Sequence, residues 1–209
     1  MYKRFKQFIY KLLIPFIRFS KYVNWLSYLK FSKEIKLIVG AANIKFKGWF
    51  STDIVTLDVT KEKNFTKYFT HRKIDKILAE HVLEHLTDEE IKIMVKNFYK
   101  YSSENINIRV AVPDGFHTNV NYINYVIPGG TGEGANDHQH LFNFRSLSKY
   151  FEKAGFHSYP KEYWDENGNF HSEYSNDENG TIRRSFLNDP RNINGEPHYT
   201  SLIIDFKKK

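Results

Sequence analysis

Short apolar runs alternate with helical patterns from residue 35 onward. Five runs have the length and composition of buried strands, at residues 36–39, 50–55, 74–79, 106–112 and 201–206. In the fourth run Ile106, Ile108, Val110 and Val112 alternate strictly with other residues, which predicts a strand. Strands that alternate with helices are typical of an α/β domain with a mainly parallel sheet.

Two helices have recognisable start signals. Thr87 is followed three residues later by Glu90, a capping box, and apolar residues then recur at helical spacing as far as Tyr101. Asn143 can cap a second helix, which Gly155 would end. Two long connections remain: residues 113–142 lie between these two helices, and residues 165–198 precede the last strand. Connections of this length are usually functional lids or disordered insertions.

The first 30 residues form the most amphipathic stretch, in which lysines and arginines interrupt apolar residues at helical spacing. Pro15 should kink or split this helix. No uncharged run approaches the length needed to cross a bilayer. Two interpretations stay open: a helix packed over one edge of the domain, and a basic helix resting on anionic lipid. We expect residues 1–33 to be an extension and 34–209 to be the domain.

Composition narrows the class of protein. The 209 residues, of which 41% are hydrophobic, suffice for one sizeable core. The absence of cysteine excludes disulfides and thiolate metal sites, and with no signal-peptide pattern it favours the cytoplasm. The net charge of +7 suits an anionic partner, but no recognition motif accompanies it, so we expect no nucleic-acid partner. Nothing in the sequence predicts an oligomeric state.

Polar residues follow four of the predicted strands. In a parallel α/β sheet, ligands bind outside the carboxyl ends of the strands, where the strand order reverses. The segment "GAAN" at 40–43 follows the first run, and its small residues would let a ligand approach the backbone. Asp53 follows the second run, where an acid could bind two ribose hydroxyls, and Asp58 is placed to meet an adenine amino group. "AEHVLEHL" and "VPDG" follow the next two runs.

A metal site is not expected from this pattern. His81 and His85 are four residues apart and could lie on one helical face. Glu84, however, does not give the HExxH order, and no third ligand is evident.

The order of these segments resembles the class I S-adenosylmethionine-dependent methyltransferases. The resemblance is to a small bacterial group with a His-Val-Leu-Glu-His-Leu segment, often linked to surface-polysaccharide biosynthesis. It covers residues 35–206, through "VGAANIKFKGWFSTDI", "LDVT", "DKILAEHVLEHLTDEE", "RVAVPD" and "HQHLFNFRSLSKYFEKAGF". It implies a Rossmann-like fold, mostly parallel with an antiparallel last strand, and S-adenosylmethionine as the cofactor.

By position, the resemblance implies a set of cofactor-binding residues. Gly40, Ala41 and Asn43 would border the methionine part of the cofactor, and Asp53 would bind the ribose hydroxyls. Asp58 and Val59 would meet the adenine, and Glu80 and His81 would line the exposed side near the sulfonium. Two features depart from the family pattern. "GAAN" replaces a glycine-rich loop, and the chain between Gly40 and Trp49 is hardly long enough for the usual first helix.

Methyl transfer requires the acceptor and donor to be held in line and one proton to be removed. The candidate bases are His81, Asp114, His138 and His140. The His138–His140 pair has three interpretations: an acceptor-side base, a metal site with Asp137, or a polar turn. Arginines in "RRSFLNDPRN" could bind an anionic or sugar acceptor, or belong to a solvated hairpin; the charged residues of this segment are Arg183, Arg184, Asp189 and Arg191.

Three functions compete. The first is methylation of oxygen or nitrogen in a small molecule, a sugar or glycan precursor, by a cytoplasmic enzyme with peripheral membrane contact through residues 1–30. The second is a catalytically inactive methyltransferase-like binding or scaffolding module, which "GAAN" favours. The third is nucleic-acid methylation, which lacks an "NPPY"-like tetrapeptide.

Overall fold

The computed structural model describes residue 16, residues 19–42 and residues 44–209. The chain divides into two units between Lys33 and Glu34. Residues 19–31 of the first unit form helix α1. Pro15 and most of the predicted amphipathic stretch lie outside the described residues. Within the part of the chain that the structure describes, no helix is long and apolar enough to cross a membrane.

The second unit is built on a seven-stranded sheet with the order β2-β1-β3-β4-β7-β5-β6. The strands are β1 Lys36–Val39, β2 Phe50–Ser51, β3 Ile74–Glu80, β4 Ser102–Pro113, β5 Phe156–Trp164, β6 Phe170–Ser172 and β7 Ser201–Lys208. The helices are α2 Glu62–Phe69, α3 Asp88–Tyr101, α4 Val120–Val126 and α5 Phe144–Lys153, and 3₁₀ turns cover Leu83–His85 and Ala135–Asp137.

Five of the seven strands run in one direction. β1 is parallel to β2 and β3, and β3 is parallel to β4. β7 is antiparallel to both β4 and β5, so β5 runs the same way as β4. The predicted fold class, a mostly parallel sheet with an antiparallel last strand, is confirmed. The strand order reverses between β1 and β3, because the chain passes from β1 to β2 on one side and then to β3 on the other.

Both predicted helix starts are present. Thr87 and Glu90 form the capping box of α3, with the Glu90 amide 3.4 Å from Thr87 Oγ1 and the Thr87 amide 2.9 Å from Glu90 Oε2. Asn143 caps α5 through the amides of the first turn. These caps satisfy amides that a helix start leaves without intrahelical partners. They place α3 and α5 where the sequence predicts them.

No helix lies between β1 and β2, as the short spacing predicts; residue 43 of that connection is not described. One face of the sheet is covered instead by side chains from the long C-terminal connection. Tyr174 and Ile182 from this connection pack with Ile38, Leu78 and Ile203 of the strands. We call residues 173–191 the cover segment. It is packed against the core and is therefore not a disordered insertion.

Candidate active site

A cleft of about 180 Å³ opens beside the carboxyl ends of β1 and β3, where the strand order reverses. One wall comes from the residues that follow β1 and β3. The other comes from the 113–142 connection, from the cover segment and from Tyr199, two residues before β7. The lining residues that matter below are Gly40, Ala42, Glu80, His81, Glu84, His85, Tyr125, Glu133, His138, Arg183, Arg184 and Tyr199.

Gly40 lets the chain that follows β1 approach the chain that follows β3. Its φ is +59°, and a Cβ atom there would lie 2.6 Å from Cγ2 of Val82. A distance this short forces displacement of Val82, and a left-handed φ disfavours other residues. The floor of the cleft therefore requires glycine at this position.

The β1–β2 register brings Asp53 alongside Gly40. Ile38 is paired with Ser51, so the chain two residues further on places Gly40 next to Asp53. Asp53 is partly exposed, and its Oδ1 accepts hydrogen bonds from two backbone amides of the next turn at 3.0 Å each. The carboxylate is thus fixed at the edge of the cleft, outside its lining.

Asp58 lies in the turn before α2. Its Oδ1 accepts from Thr60 Oγ1 at 2.6 Å, and its Oδ2 lies 2.7 Å from Lys61 Nζ. Burial alone would raise the pKa of Asp58, but the hydrogen bonds from Lys61 and Thr60 outweigh burial and lower it. Val59 is buried, and its carbonyl accepts from Asn97 Nδ2 at 3.0 Å. Neither residue lines the cleft.

The three positions after Gly40 differ in their surroundings. Ala41 is buried in the core, and its amide donates to Thr52 O at 2.9 Å. Ala42 lines the cleft and has a φ of 44°. Asn43 lies outside the described residues, so its predicted role stays a prediction.

Glu80, the last residue of β3, holds the cover segment over the cleft. Its Oε1 accepts from the Arg184 amide at 2.9 Å, and its Oε2 lies 3.4 Å from Arg183 Nε. The Arg184 guanidinium makes no hydrogen bond or ion pair with any residue that the structure describes. Arg184 is therefore the arginine of the lining that could bind an anionic group, although Glu80, Glu84 and Glu133 line the same cleft.

His81 has partners at both ring nitrogens. Its Nε2 lies 3.1 Å from Ser201 Oγ, and Nδ1 lies 3.0 Å from Glu84 Oε1. The Ser201 hydroxyl donates to Arg184 O at 2.7 Å, so it must accept from His81 Nε2. His81 also has a φ of 55°, an uncommon conformation for a residue with a side chain. These contacts suit a positioning role.

Glu84 is fully buried in the 3₁₀ turn after β3. Burial alone would raise the pKa of Glu84, but nearby His81 outweighs burial and lowers it. The carboxyl group is therefore ionised beneath the cleft.

Two of the predicted bases lie outside the cleft lining. Asp114 is fully buried, and its two oxygens accept from the amides of Phe116 and Trp164 at 2.9 and 2.7 Å. Burial raises the pKa of Asp114 to about 7. His140 stacks on Phe142 with ring centroids 4.9 Å apart. Both residues thus have partners in or beside the 113–142 connection, and their role as bases stays a prediction.

His138 does line the cleft, with Nδ1 2.7 Å from Val126 O. A carbonyl oxygen only accepts, so Nδ1 carries the proton and Nε2 of the neutral ring has a lone pair. The sequence analysis did not identify Ala42, Glu133 or Tyr199. Tyr199 had an available signal: it precedes an antiparallel strand, whose start meets the carboxyl ends of its neighbours.

No family model and no curated protein sequence matches the chain. Among solved structures, a SAM-dependent methyltransferase from Archaeoglobus fulgidus aligns over 93% of this chain and 94% of its own, with a TM-score of 0.51 at 14% identity. A SAM-dependent methyltransferase from Anabaena variabilis aligns over 91% and 72%, with a TM-score of 0.47 at 8% identity. A methyltransferase in complex with the Haloferax volcanii Trm112 activator aligns over 87% and 87%, with a TM-score of 0.48 at 9% identity.

The Archaeoglobus likeness concerns the fold alone. With the observed strand order, it shows that this chain has the Rossmann-like fold of the class I SAM-dependent methyltransferases.

Proposed function

We propose that the protein is an S-adenosylmethionine-dependent methyltransferase that acts on oxygen or nitrogen of a small molecule, a sugar or glycan precursor. The observation that carries the proposal is the cleft at the point of strand reversal, between Gly40, which follows β1, and Glu80–His81 at the end of β3. This is the position at which open α/β sheets bind ligands. The resemblance of the sequence segments points to the same position.

The residues at this edge fit the cofactor. Gly40 and Ala42 would let the methionine part approach the backbone, and Asp53 would bind the ribose hydroxyls beside them. The cleft of about 180 Å³ is smaller than the roughly 300–1,000 Å³ of typical ligand pockets. The methionine end and the acceptor would therefore occupy the cleft, and the nucleoside would extend over Asp53. Asp58 and Val59 would flank the adenine, with Asp58 keeping Lys61 as its partner.

The side chains around the cleft support a methyl-transfer role. When bound, the cofactor supplies an electrophilic methyl group on a cationic sulfur. Glu80 and Glu84 provide negative charge near that position, and His81 is held by Ser201 and Glu84. Of the four candidate bases, His138 combines a place in the cleft with a ring nitrogen, Nε2, that makes no hydrogen bond among the described residues. His138 would receive the acceptor's proton.

The mouth of the cleft favours an anionic, sugar-linked acceptor. Arg183 and Arg184 lie there, and Arg184 makes no short ion pair in the described part of the chain, although it interacts electrostatically with Asp189. Tyr125 and Tyr199 contribute aromatic rings, which can stack on a sugar. Arg191, the third arginine of this segment, is paired with Asp189 at 2.6 Å and does not line the cleft.

Calorimetric titration with S-adenosylhomocysteine tests the proposal. We expect binding by the wild-type chain, and at least about tenfold weaker binding after Asp53→Asn, which removes a charge-assisted hydrogen bond. Gly40→Ala should abolish binding, because its Cβ displaces Val82. Gly48→Ala is the matched control: its φ is also positive, at 82°, but a Cβ there meets nothing within 4 Å.

The opposite result would favour the inactive module. If the wild-type chain does not bind S-adenosylhomocysteine, or if Gly40→Ala and Gly48→Ala bind equally well, the methyltransferase proposal is wrong. A binding or scaffolding function on the same fold would then remain.

We also propose that the enzyme is cytoplasmic and contacts the membrane surface through residues 1–30. The basic amphipathic sequence of this stretch and the net charge of +7 support the proposal. Flotation with phosphatidylserine vesicles tests it. Charge reversal at Lys3, Lys6 and Lys11 should release the protein, whereas reversal at the exposed lysines 45, 47 and 63 should not. Equal flotation of both variants would contradict the proposal.

A further inference from the structure

Three potential metal ligands meet at the wall of the cleft. Glu84, His85 and His138 each offer one ligand atom, and these atoms all lie within 4.8 Å of one another. The two contributing segments are joined by backbone hydrogen bonds, since Glu84 O accepts from the amides of Gln139 at 2.6 Å and His140 at 3.3 Å. The grouping is thus fixed by the fold rather than by the side chains alone.

Both histidines are oriented as metal ligands are. His138 Nδ1 donates to Val126 O at 2.7 Å. His85 Nδ1 lies 3.1 Å from Asp137 Oδ1, and a carboxylate oxygen only accepts, so His85 also carries its proton on Nδ1. The ring centroids are 4.7 Å apart. Metal-binding histidines usually donate their second N–H to a carbonyl or carboxylate, which leaves Nε2 for the metal.

Glu84 supplies an independent observation. Its side chain is completely buried, yet neither carboxylate oxygen accepts a hydrogen bond from any described residue. Oε1 lies 3.0 Å from His81 Nδ1 without hydrogen-bond geometry, and Oε2 has no such neighbour. Burial of a carboxylate is unfavourable unless a cation or hydrogen bonds compensate it. His81 gives part of that compensation at Oε1, and a metal ion beside Oε2 would give the rest.

We propose that Glu84, His85 and His138 bind a divalent transition-metal ion of the zinc class. Two imidazoles and one carboxylate suit Zn²⁺, Co²⁺ or Fe²⁺ better than Mg²⁺ or Ca²⁺, which prefer oxygen ligands. Zn–N and Zn–O distances near 2.0–2.1 Å put tetrahedral ligands about 3.3 Å apart, so the cluster would contract by up to roughly 1.5 Å on binding. From the sequence no metal was expected at His81 and His85; the structure instead groups His85 with His138, and His81 is held by Ser201.

Three protein ligands leave one coordination position open toward the cleft. On the proposed methyltransferase function, this position would hold the acceptor hydroxyl. With the metal bound, His138 Nε2 is a ligand and no longer the base of the metal-free site; the metal ion lowers the pKa of the coordinated hydroxyl, so its proton would pass to solvent water at the open cleft. The metal site would then select an oxygen acceptor over a carbon acceptor.

The test is titration of the tag-free, chelator-treated full chain with Co²⁺ and Zn²⁺, by calorimetry and by the visible spectrum of the Co²⁺ form. We expect one ion per chain. His138→Ala and Glu84→Gln should each weaken binding by at least about 10–100-fold, the range that loss of even a supporting contact produces. His157→Ala, at an exposed histidine of β5, is the matched control and should bind as the wild type does.

Circular dichroism of each variant separates loss of the site from loss of the fold, and His138→Ala removes a residue outside the sheet. The proposal is overturned if the wild-type chain binds neither ion, or if both ligand variants bind as tightly as His157→Ala. Metal binding is measured without cofactor or acceptor. A chain that binds Co²⁺ but not S-adenosylhomocysteine would therefore retain the metal site and lose only the proposed enzymatic function.

Discussion

At the level of single residues, the backbone is strained at the two strand ends that form the cleft. Ala42 follows β1 with a φ of 44°, and His81 follows β3 with a φ of 55°. Such conformations cost free energy and persist only where the surrounding structure imposes them, often at functional sites. Two of the three described non-glycine residues with a positive φ thus lie at the cleft, and the third is Asn194. The same strain makes the loop testable by substitution.

Ala42→Gly should relieve the strain and stabilise the fold by up to about 1 kcal/mol, because glycine adopts a positive φ without steric cost. Ala41→Gly is the matched control. Ala41 is buried and its φ is not positive, so glycine there should cost about 1 kcal/mol. Urea unfolding of both variants measures the two effects. Equal destabilisation by both substitutions would contradict the strain at Ala42.

Two buried acids determine the response of stability to alkaline pH. Burial raises the pKa of Glu162 from 4.5 to about 8 and that of Asp114 from 3.8 to about 7. Between their unfolded and folded pKa values, each acid binds a proton in the folded state that the unfolded state does not bind. Stability therefore falls as the pH rises through this range. His117 acts oppositely, since burial lowers its pKa from 6.5 to about 4, but above pH 6.5 its remaining contribution is only about 0.4 kcal/mol.

The two acids thus dominate the window from pH 6.5 to pH 8. We expect the free energy of unfolding to fall there by an amount on the order of 2 kcal/mol, and Glu162→Gln to remove about half or more of that fall. Urea unfolding at pH 6.5, 7.2 and 8 provides the measurement, with His117→Phe as a variant that should make the fall only slightly steeper, by about 0.4 kcal/mol. A flat or rising profile for the wild-type chain would show that Glu162 is ionised in the fold.

At the level of elements, the sequence predicts what local chemistry determines. The capping signals located α3 and α5, and strict alternation located β4, because these depend on neighbours in the chain. β5 was not predicted: it contains Pro160, only three of its nine residues are buried, and its register with β7 shifts beside the proline. The second run was predicted to extend to residue 55, but β2 ends at Ser51, because the Asp53 side chain begins a turn.

The capping box of α3 gives a quantitative test at this scale. Thr87→Ala leaves the Glu90 amide and the start of α3 without the side-chain acceptor, which should lower the free energy of unfolding by about 1 kcal/mol. Thr87→Ser keeps the hydroxyl and should stay close to the wild type. The measurement is the urea midpoint of the wild type, of Thr87→Ala and of Thr87→Ser. Equal loss in the Ser and Ala variants would assign the effect to the methyl group of Thr87.

At the level of the whole molecule, the cleft depends on contacts between distant parts of the chain. The sequence could place Gly40, Asp53 and His81 at one edge of the sheet, because parallel strands align their carboxyl ends. It could not pair His85 with His138, since their approach depends on the path of the 113–142 connection. Nor could it show that the cover segment replaces a helix on the sheet. That arrangement rests on Arg109, whose burial no local pattern reveals.

Arg109 ties the cover segment to the centre of the sheet. Its Nε and Nη2 donate to Asp205 on β7 at 2.7 Å each, and its Nη1 donates to Asp177 and to Gly180 O in the cover segment at 2.8 and 2.7 Å. These carboxylates keep the pKa of Arg109 above its usual value, against the effect of burial. Removal of the guanidinium would leave Asp205 buried without its charge partner.

Arg109→Met should therefore cost about 3–5 kcal/mol, the usual effect of removing one member of a buried ion pair. Arg145→Met is the matched control, because Arg145 pairs with Glu166 at the surface and such pairs contribute about 1 kcal/mol or less. Hydrogen exchange should show a second difference. In Arg109→Met the amides of the cover segment would lose protection, and Arg184 would no longer be held over the cleft. Arg145→Met would exchange as the wild type does. If protection falls uniformly along the chain instead, Arg109 stabilises the sheet without specifically holding the cover segment, and binding of S-adenosylhomocysteine should then survive in the folded fraction.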